Sequence, residues 1–183
     1  MTATNMPSHD AADTLTAEWP DTDVTEAWAR RLARSAPVPA VVFLHGDLGA
    51  GKSTLARAWL RALGVTGAIR SPTYTLVERY PIAMGEGRDG TPSQAAAEAL
   101  HLDLYRIGSG AELEFLGLDD VPAALWLVEW PERGEGGLPA ADLHIVLALH
   151  ADGRAGRACR LEAVSAAGRA WLQRLADVAP APG

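Results

Sequence analysis

The sequence predicts an α/β domain with a mixed parallel and antiparallel sheet flanked by helices. Three observations carry that prediction. Short apolar runs alternate with helix-period segments over most of the chain. A glycine-rich turn, HGDLGAGKST from His45 to Thr54, joins one such run to a helix-like segment. Near the end, DLHIVLALH and RACRLEAV flank ADGRAG, a Gly-containing connection that suits an antiparallel hairpin.

At 183 residues the chain suits one well-packed domain, expected over residues 19–178. Residues 1–18 are rich in Thr, Asp, Ala and Pro and read as a loose tail, and 179–183 as another. The segment VTEAWARRLARS then places Val24, Ala27, Trp28 and Leu32 near helical spacing. PAVVFLHG is almost wholly apolar, the pattern of a strand covered on both faces. After the glycine turn, Leu55, Ala58, Trp59, Ala62 and Leu63 fall on one helical face and Gly64 supplies the stop.

SPTYTLVERYPI reads as a loop running into a strand, with alternation at Tyr74, Leu76 and Tyr80. Residues 83–98 carry Gly, Pro and small side chains and read as a surface loop without chemistry. ALHLDLYRI is a further strand candidate, AELEFLGLDDV a short acidic helix, and AALWLVEW a buried strand closed by Pro131. SAAGRAWLQRLADV forms a last helix with Ser165 as N-cap.

Composition narrows the function classes. A net charge of −7 argues against a surface that grips nucleic acid through its phosphates. The single cysteine, Cys159, leaves no internal disulfide and suits a reducing compartment; its apolar flanks mark it as packing. No run approaches the ~18 apolar residues that cross a bilayer, and the start lacks the basic and apolar regions of a signal peptide. A cytoplasmic protein without membrane contact is expected.

Gly46, Gly51, Lys52 and Ser53 match G-x-x-x-x-G-K-[ST], the pattern of a phosphate-binding P-loop. Backbone N–H groups around Gly49, Ala50 and Gly51 can turn inward only where side chains do not obstruct them. The following helix aims its free N–H groups and positive dipole end at the same anion. Lys52 supplies a mobile charge for the terminal phosphates, and Ser53 a hydroxyl for Mg²⁺. Lys52 is also the only lysine among sixteen basic residues, placed where a compact ammonium serves better than a planar fork.

Such a loop needs a carboxylate at a neighbouring strand end to organise the ion. Glu129 ends LWLVE and Asp103 ends ALHLD; either could ligate directly, or one through water. SPTYT could read the γ-phosphate with its hydroxyls or be a plain Ser-Pro turn. Arg154, Arg157 and Arg160 sit around the hairpin and read as solvated charge. ELEFLGLDD could face a partner or pack on the sheet.

Taken in order, GDLGAGKSTL, SPTYTLVERY, HLDLYRI, ELEFLGLDD and LVEWPERG resemble the TsaE family, the small ATPases of tRNA threonylcarbamoyladenosine biosynthesis. The resemblance implies a P-loop NTPase fold, ATP and Mg²⁺ as ligands, and slow unaided hydrolysis. It also implies TsaB-like and TsaD-like partners, with tRNA reached through them. Gly46, Asp47, Leu48, Gly49, Ala50, Gly51, Lys52, Ser53 and Thr54 would bind the phosphates. Ser53 and Glu129 would ligate the metal and Asp103 would fill the Walker B-like role. Lys52, Asp103 and Glu129 would thus carry the chemistry. Thr73 would lie in a nucleotide-sensing loop, Trp130 near the site or the partner face, and Thr25 at a nucleotide-side contact. Ser53 stands where the family more often has Thr, which keeps the hydroxyl.

The expectation is therefore a slow, partner-dependent ATPase. Two alternatives remain at this stage: a small-molecule kinase with an Arg-bearing lid, and a non-catalytic module that binds nucleotide and partners without turnover.

Overall fold

A computed structural model describes residues 13–83, 96–118 and 121–177. Among the described residues seven strands form one mixed sheet: β1 Thr14–Trp19, β2 Ala40–His45, β3 Val77–Ala83, β4 Ala96–Asp103, β5 Ala123–Glu129, β6 Leu143–Ala148 and β7 Arg157–Ala163. Their spatial order is β1-β7-β6-β2-β5-β4-β3. The four inner strands β6, β2, β5 and β4 run parallel. The edges are antiparallel, β7 and β1 on one side and β3 on the other. The chain is thus the α/β protein with a mixed sheet that its pattern predicts.

β2 carries four buried residues in its first five, Ala40, Val41, Val42 and Leu44, because it lies inside the sheet between β5 and β6. The α-helices α1 Thr22–Ser35, α2 Lys52–Ala62 and α3 Ala166–Asp177 share one core cluster with the strands. Trp59 of α2 and Trp171 of α3 meet edge-to-face there, ring centroids 5.7 Å apart. A second cluster, including Leu100, Leu102, Leu104 and Val128, lies under a 3₁₀ segment at Gly110–Leu116. Successive residues Leu127 and Val128 belong to different clusters, as the strand period requires.

Several expectations change in detail. Within the tail expected over 1–18, Thr14–Trp19 instead forms a strand paired antiparallel with β7, and residues 1–12 lie outside the described residues. The buried face of α2 is rotated from the one expected: Leu55, Ala56, Trp59 and Leu60 are buried, whereas Ala62 is exposed. In α1, Thr25, Ala29 and Leu32 are buried, while Trp28 is half-buried beside Trp19. Tyr74 and Leu76 precede β3 instead of alternating within it; Leu76 has φ 65°, which a strand residue cannot adopt. The expected loop over 83–98 includes strand residues at both ends, Ala83 and 96–98, and its remainder lies outside the described residues. The short acidic helix expected in AELEFLGLDDV is a 3₁₀ helix over Gly110–Leu116, and residues 119–120 lie outside the described residues. In that 3₁₀ helix Leu113 packs inward and Phe115 is exposed.

Other expectations hold. Ser165 caps α3, its Oγ accepting from Gly168 N–H at 2.9 Å. Gly64 ends α2 with φ 86°, donating to the Arg61 carbonyl. Cys159 is buried, and that burial pushes its thiol pKa up, the state of a packing residue. Among the described residues no helix is long and apolar enough to cross a membrane.

Candidate functional site

Three strand ends meet at one edge of the sheet. β2 pairs with β5 so that Leu44 lies opposite Glu129, and β4 pairs with β5 so that Asp103 lies opposite Glu129. The turn after β2 starts at Gly46 and leads directly into α2. Parallel register therefore gathers the glycine turn and both carboxylates at the carboxyl ends of adjacent strands, where open α/β sheets bind ligands.

Gly46 makes the close approach possible: at φ 136° a Cβ would collide with the Leu147 carbonyl oxygen of β6. Gly51 stands at the N-cap of α2 with φ 108°, making no side-chain cap, and the first turn of α2 holds no acidic residue. That helix end is open to an anion. Ala50 N–H is spent inside the loop on the Asp47 carbonyl at 3.1 Å.

Lys52 is buried, with Nζ 2.6 Å from the Gly46 carbonyl and 3.0 Å from that of Asp47. Burial holds its ammonium below the ordinary lysine pKa, while Glu129, Asp103, Glu132 and Asp47 pull it back up. The Trp130 ring covers Nζ at 4.1 Å to its centroid, a cation–π contact. Trp130 itself has φ 57°, a left-handed backbone that costs a non-glycine residue about 1–2 kcal/mol. Leu76, the other described non-glycine residue at positive φ, accepts at its carbonyl from Asp103 N–H at 3.1 Å. Both outliers border the site, the setting in which local strain usually accompanies function.

Ser53 Oγ donates to Glu129 Oε2 at 2.8 Å. Thr73 Oγ1 donates to Asp103 Oδ2 at 2.8 Å and lies 2.9 Å from Ser71 Oγ. SPTYT therefore returns to the site with two of its hydroxyls linked to a strand-end carboxylate. Both carboxylates are nearly inaccessible, 5% exposed at Asp103 and 2% at Glu129. Mg²⁺ is usually held by one or two carboxylates together with phosphate oxygens and waters, and the Ser53–Glu129 pair, with Asp103 alongside, is a donor set of that chemistry.

Two clefts share Gly51 and Thr54. One, of about 220 Å³, adjoins Lys52, Ser53, Thr73, Asp103, Glu129 and Trp130, with Leu48 and Gly49 on its rim. The other, of about 150 Å³, lies between the starts of α1 and α2 and includes Thr25, Ala50 and Arg157. Thr25 is buried and donates to the Asp21 carbonyl at 3.0 Å. The structure thus gathers Lys52, Ser53, Thr73, Asp103, Glu129 and Trp130 around the first cleft, with Gly51 and Thr54 of the glycine turn alongside. Thr25 faces the second cleft, away from the two carboxylates.

Arg157 departs from its sequence reading, and His101 was not singled out at all. Arg157 is not solvated charge: its Nε donates to the Ala50 carbonyl at 2.8 Å and its Nη2 to that of Gly49 at 3.1 Å. It braces the outside of the glycine turn, while Arg154 and Arg160 pair with nearby carboxylates. The three arginines accordingly form no common lid. His101 is fully buried with Nε2 2.8 Å from Glu129 Oε1. Its signal was present in HLD, since residues two apart on a strand share a face.

A glycine turn between a central parallel strand and a helix, with carboxylates ending the next two strands on one side, defines the class: an α/β protein of the P-loop NTPase fold. Comparison with known proteins is more particular. The family model described as "Threonylcarbamoyl adenosine biosynthesis protein TsaE" matches residues 19–158, and the chain belongs to that family. It is 42% identical over 116 residues to the tRNA threonylcarbamoyladenosine biosynthesis protein TsaE of Haemophilus influenzae, covering 62% of this chain and 66% of that protein. The protein of the same name from Synechocystis is 39% identical over 120 residues, covering 62% and 68%. The crystal structure of Bacillus subtilis YdiB superposes with a TM-score of 0.67 at 26% identity, covering 90% of this chain and 95% of that one.

Proposed function

We propose that the chain is a Mg²⁺-dependent, ATP-binding, slowly hydrolysing ATPase of the cytoplasm. In this reading it supports a TsaB–TsaD pair in the threonylcarbamoylation of adenosine 37 in tRNA. The observation that carries the reading is the Ser53–Glu129 contact of 2.8 Å beside the buried ammonium of Lys52. Hydroxyl, carboxylate and ammonium converge at one helix N-terminus, the combination that a magnesium triphosphate requires.

Each residue then has a task. The turn from Gly46 to Thr54 offers backbone N–H groups to the phosphates. Lys52 exchanges the Gly46 and Asp47 carbonyls for phosphate oxygens. Ser53 and Glu129 would hold Mg²⁺, which would supply neutralising positive charge to the bound phosphates. Asp103 and Thr73 lie beside them, able to orient a water. Thr25, in the second cleft, contacts the nucleoside end. Trp130 screens Lys52 from solvent, which strengthens its attraction for an anion.

No strong base is needed for positioning and charge neutralisation, and unaided turnover is then slow. A stabilising group supplied in trans accelerates phosphoryl transfer by about 10³–10⁵ in related systems. Measuring ADP release with and without the TsaB-like and TsaD-like proteins and tRNA tests the proposal. A partner-dependent rise is expected; equal rates overturn it. Phosphorylated small molecule in place of free phosphate would instead favour a kinase.

A further inference from the structure

We infer that His101 is a positioning residue that holds the Glu129 carboxylate in the orientation needed for divalent-metal binding. The inference rests on the metal-binding reading above and goes beyond it by assigning a role to a side chain outside the donor set. Glu129 is gripped at both oxygens from opposite sides of the site: Oε1 by His101 Nε2 of β4 at 2.8 Å, and Oε2 by Ser53 Oγ of α2 at 2.8 Å. Two contacts on two oxygens fix the plane of the carboxylate, which a single contact leaves free to turn about its terminal torsion. His101 is 0% exposed, so bulk water does not compete for this contact in the folded protein.

The donor direction follows from the partners. A carboxylate only accepts, so Nε2 carries the hydrogen. Nδ1 is buried without a hydrogen-bond partner among the described residues, so the ring's polar contact is made at Nε2 alone. That ring donates to Oε1 and leaves Oε2, the oxygen shared with Ser53, for the metal. Residues that orient a metal ligand in this way typically contribute 10–100-fold to metal affinity or activity.

The test uses the full-length protein loaded with ADP and titrated with Mn²⁺ by electron paramagnetic resonance, alongside metal-free ADP affinity. His101→Ala is expected to lose about 10–100-fold in Mn²⁺ affinity while metal-free ADP affinity stays within about twofold. His101→Gln, whose amide can donate near the Nε2 position, is expected to recover most of the loss. Equal Mn²⁺ affinity in wild type and His101→Ala overturns the inference alone, as does a Gln variant no better than Ala. A wild-type protein that binds no Mn²⁺ in the presence of ADP overturns the metal-site reading and this inference with it. Should His101→Ala fail to fold, long-range ¹H–¹⁵N spectra of the wild-type ring decide: hydrogen on Nε2 supports the role, and hydrogen on Nδ1 alone defeats it.

Discussion

Ser53 Oγ and Glu129 Oε2 lie 2.8 Å apart although 76 positions separate them in the chain. One comes from the first turn of α2 and the other from the last residue of β5, and the parallel pairing of β2 with β5 brings them level. Glu129→Gln keeps the shape and removes the charge. ADP affinity with Mg²⁺ is expected to fall at least tenfold, toward the value measured in EDTA, where wild type and variant should agree. A variant that keeps its full response to Mg²⁺ on calorimetric titration would exclude Glu129 as a ligand.

Lys52 makes two contacts to loop carbonyls that phosphate oxygens would replace. Lys52→Ala is expected to lose most ATP affinity while the far-UV circular dichroism is retained. Hydrogen bonds to charged groups are worth about 1.5–3 kcal/mol, or roughly 10–100-fold in Kd. Unchanged nucleotide affinity would contradict the assignment.

The Thr73–Asp103 hydrogen bond joins SPTYT to β4. If this contact serves hydrolysis more than binding, Thr73→Val lowers kcat about 10–100-fold with ATP affinity nearly intact, and Thr73→Ser restores it. A change in affinity with kcat unaltered would move Thr73 from turnover to ground-state binding.

Gly46 has no room for a side chain, since a Cβ would meet the Leu147 carbonyl, and its φ of 136° is foreign to L residues. Gly46→Ala is expected to cost about 2 kcal/mol or more in stability, read as a lower Tm without nucleotide. By contrast Gly49→Ala has open space at its Cβ and pays chiefly for its φ of 81°. Equal melting temperatures for the two variants would count against the steric argument.

His45 and His144 face each other across β2 and β6, Nε2 to Nδ1 at 3.2 Å. Burial lowers the pKa of both, and His144 lowers that of His45 further. A histidine whose folded pKa lies below its unfolded value of about 6.5 binds protons more readily when unfolded. Its contribution is therefore fully present above about pH 6.5 and is lost as pH falls from there through the lower folded values. Tm should decline on acidification across that window, and less steeply in His144→Gln. The same slope in both proteins would remove this pair as the cause.

Local pattern made much of this protein legible. The spacing of Gly46, Gly51, Lys52 and Ser53 announced the phosphate loop because neighbours in sequence form that loop, so its chemistry is written in ten consecutive residues. Glu129 and Asp103 were visible for a similar reason: each is a carboxylate closing an apolar strand, an expensive position without a partner. The α/β class followed from periodicity, which is likewise local.

What the chain alone did not decide was every relationship made by strand register and helix rotation. Leu76 left the expected strand and α2 turned its buried face by a residue, because packing, not propensity, sets both. Arg157 reaches Ala50 across 107 positions and His101 reaches Glu129 across 28. Such contacts exist only once the strands of the sheet have aligned, and a hydrogen bond spans about 3 Å, far less than a single strand's length. Residue types therefore declared the chemistry, while the assembled sheet chose which atoms would meet.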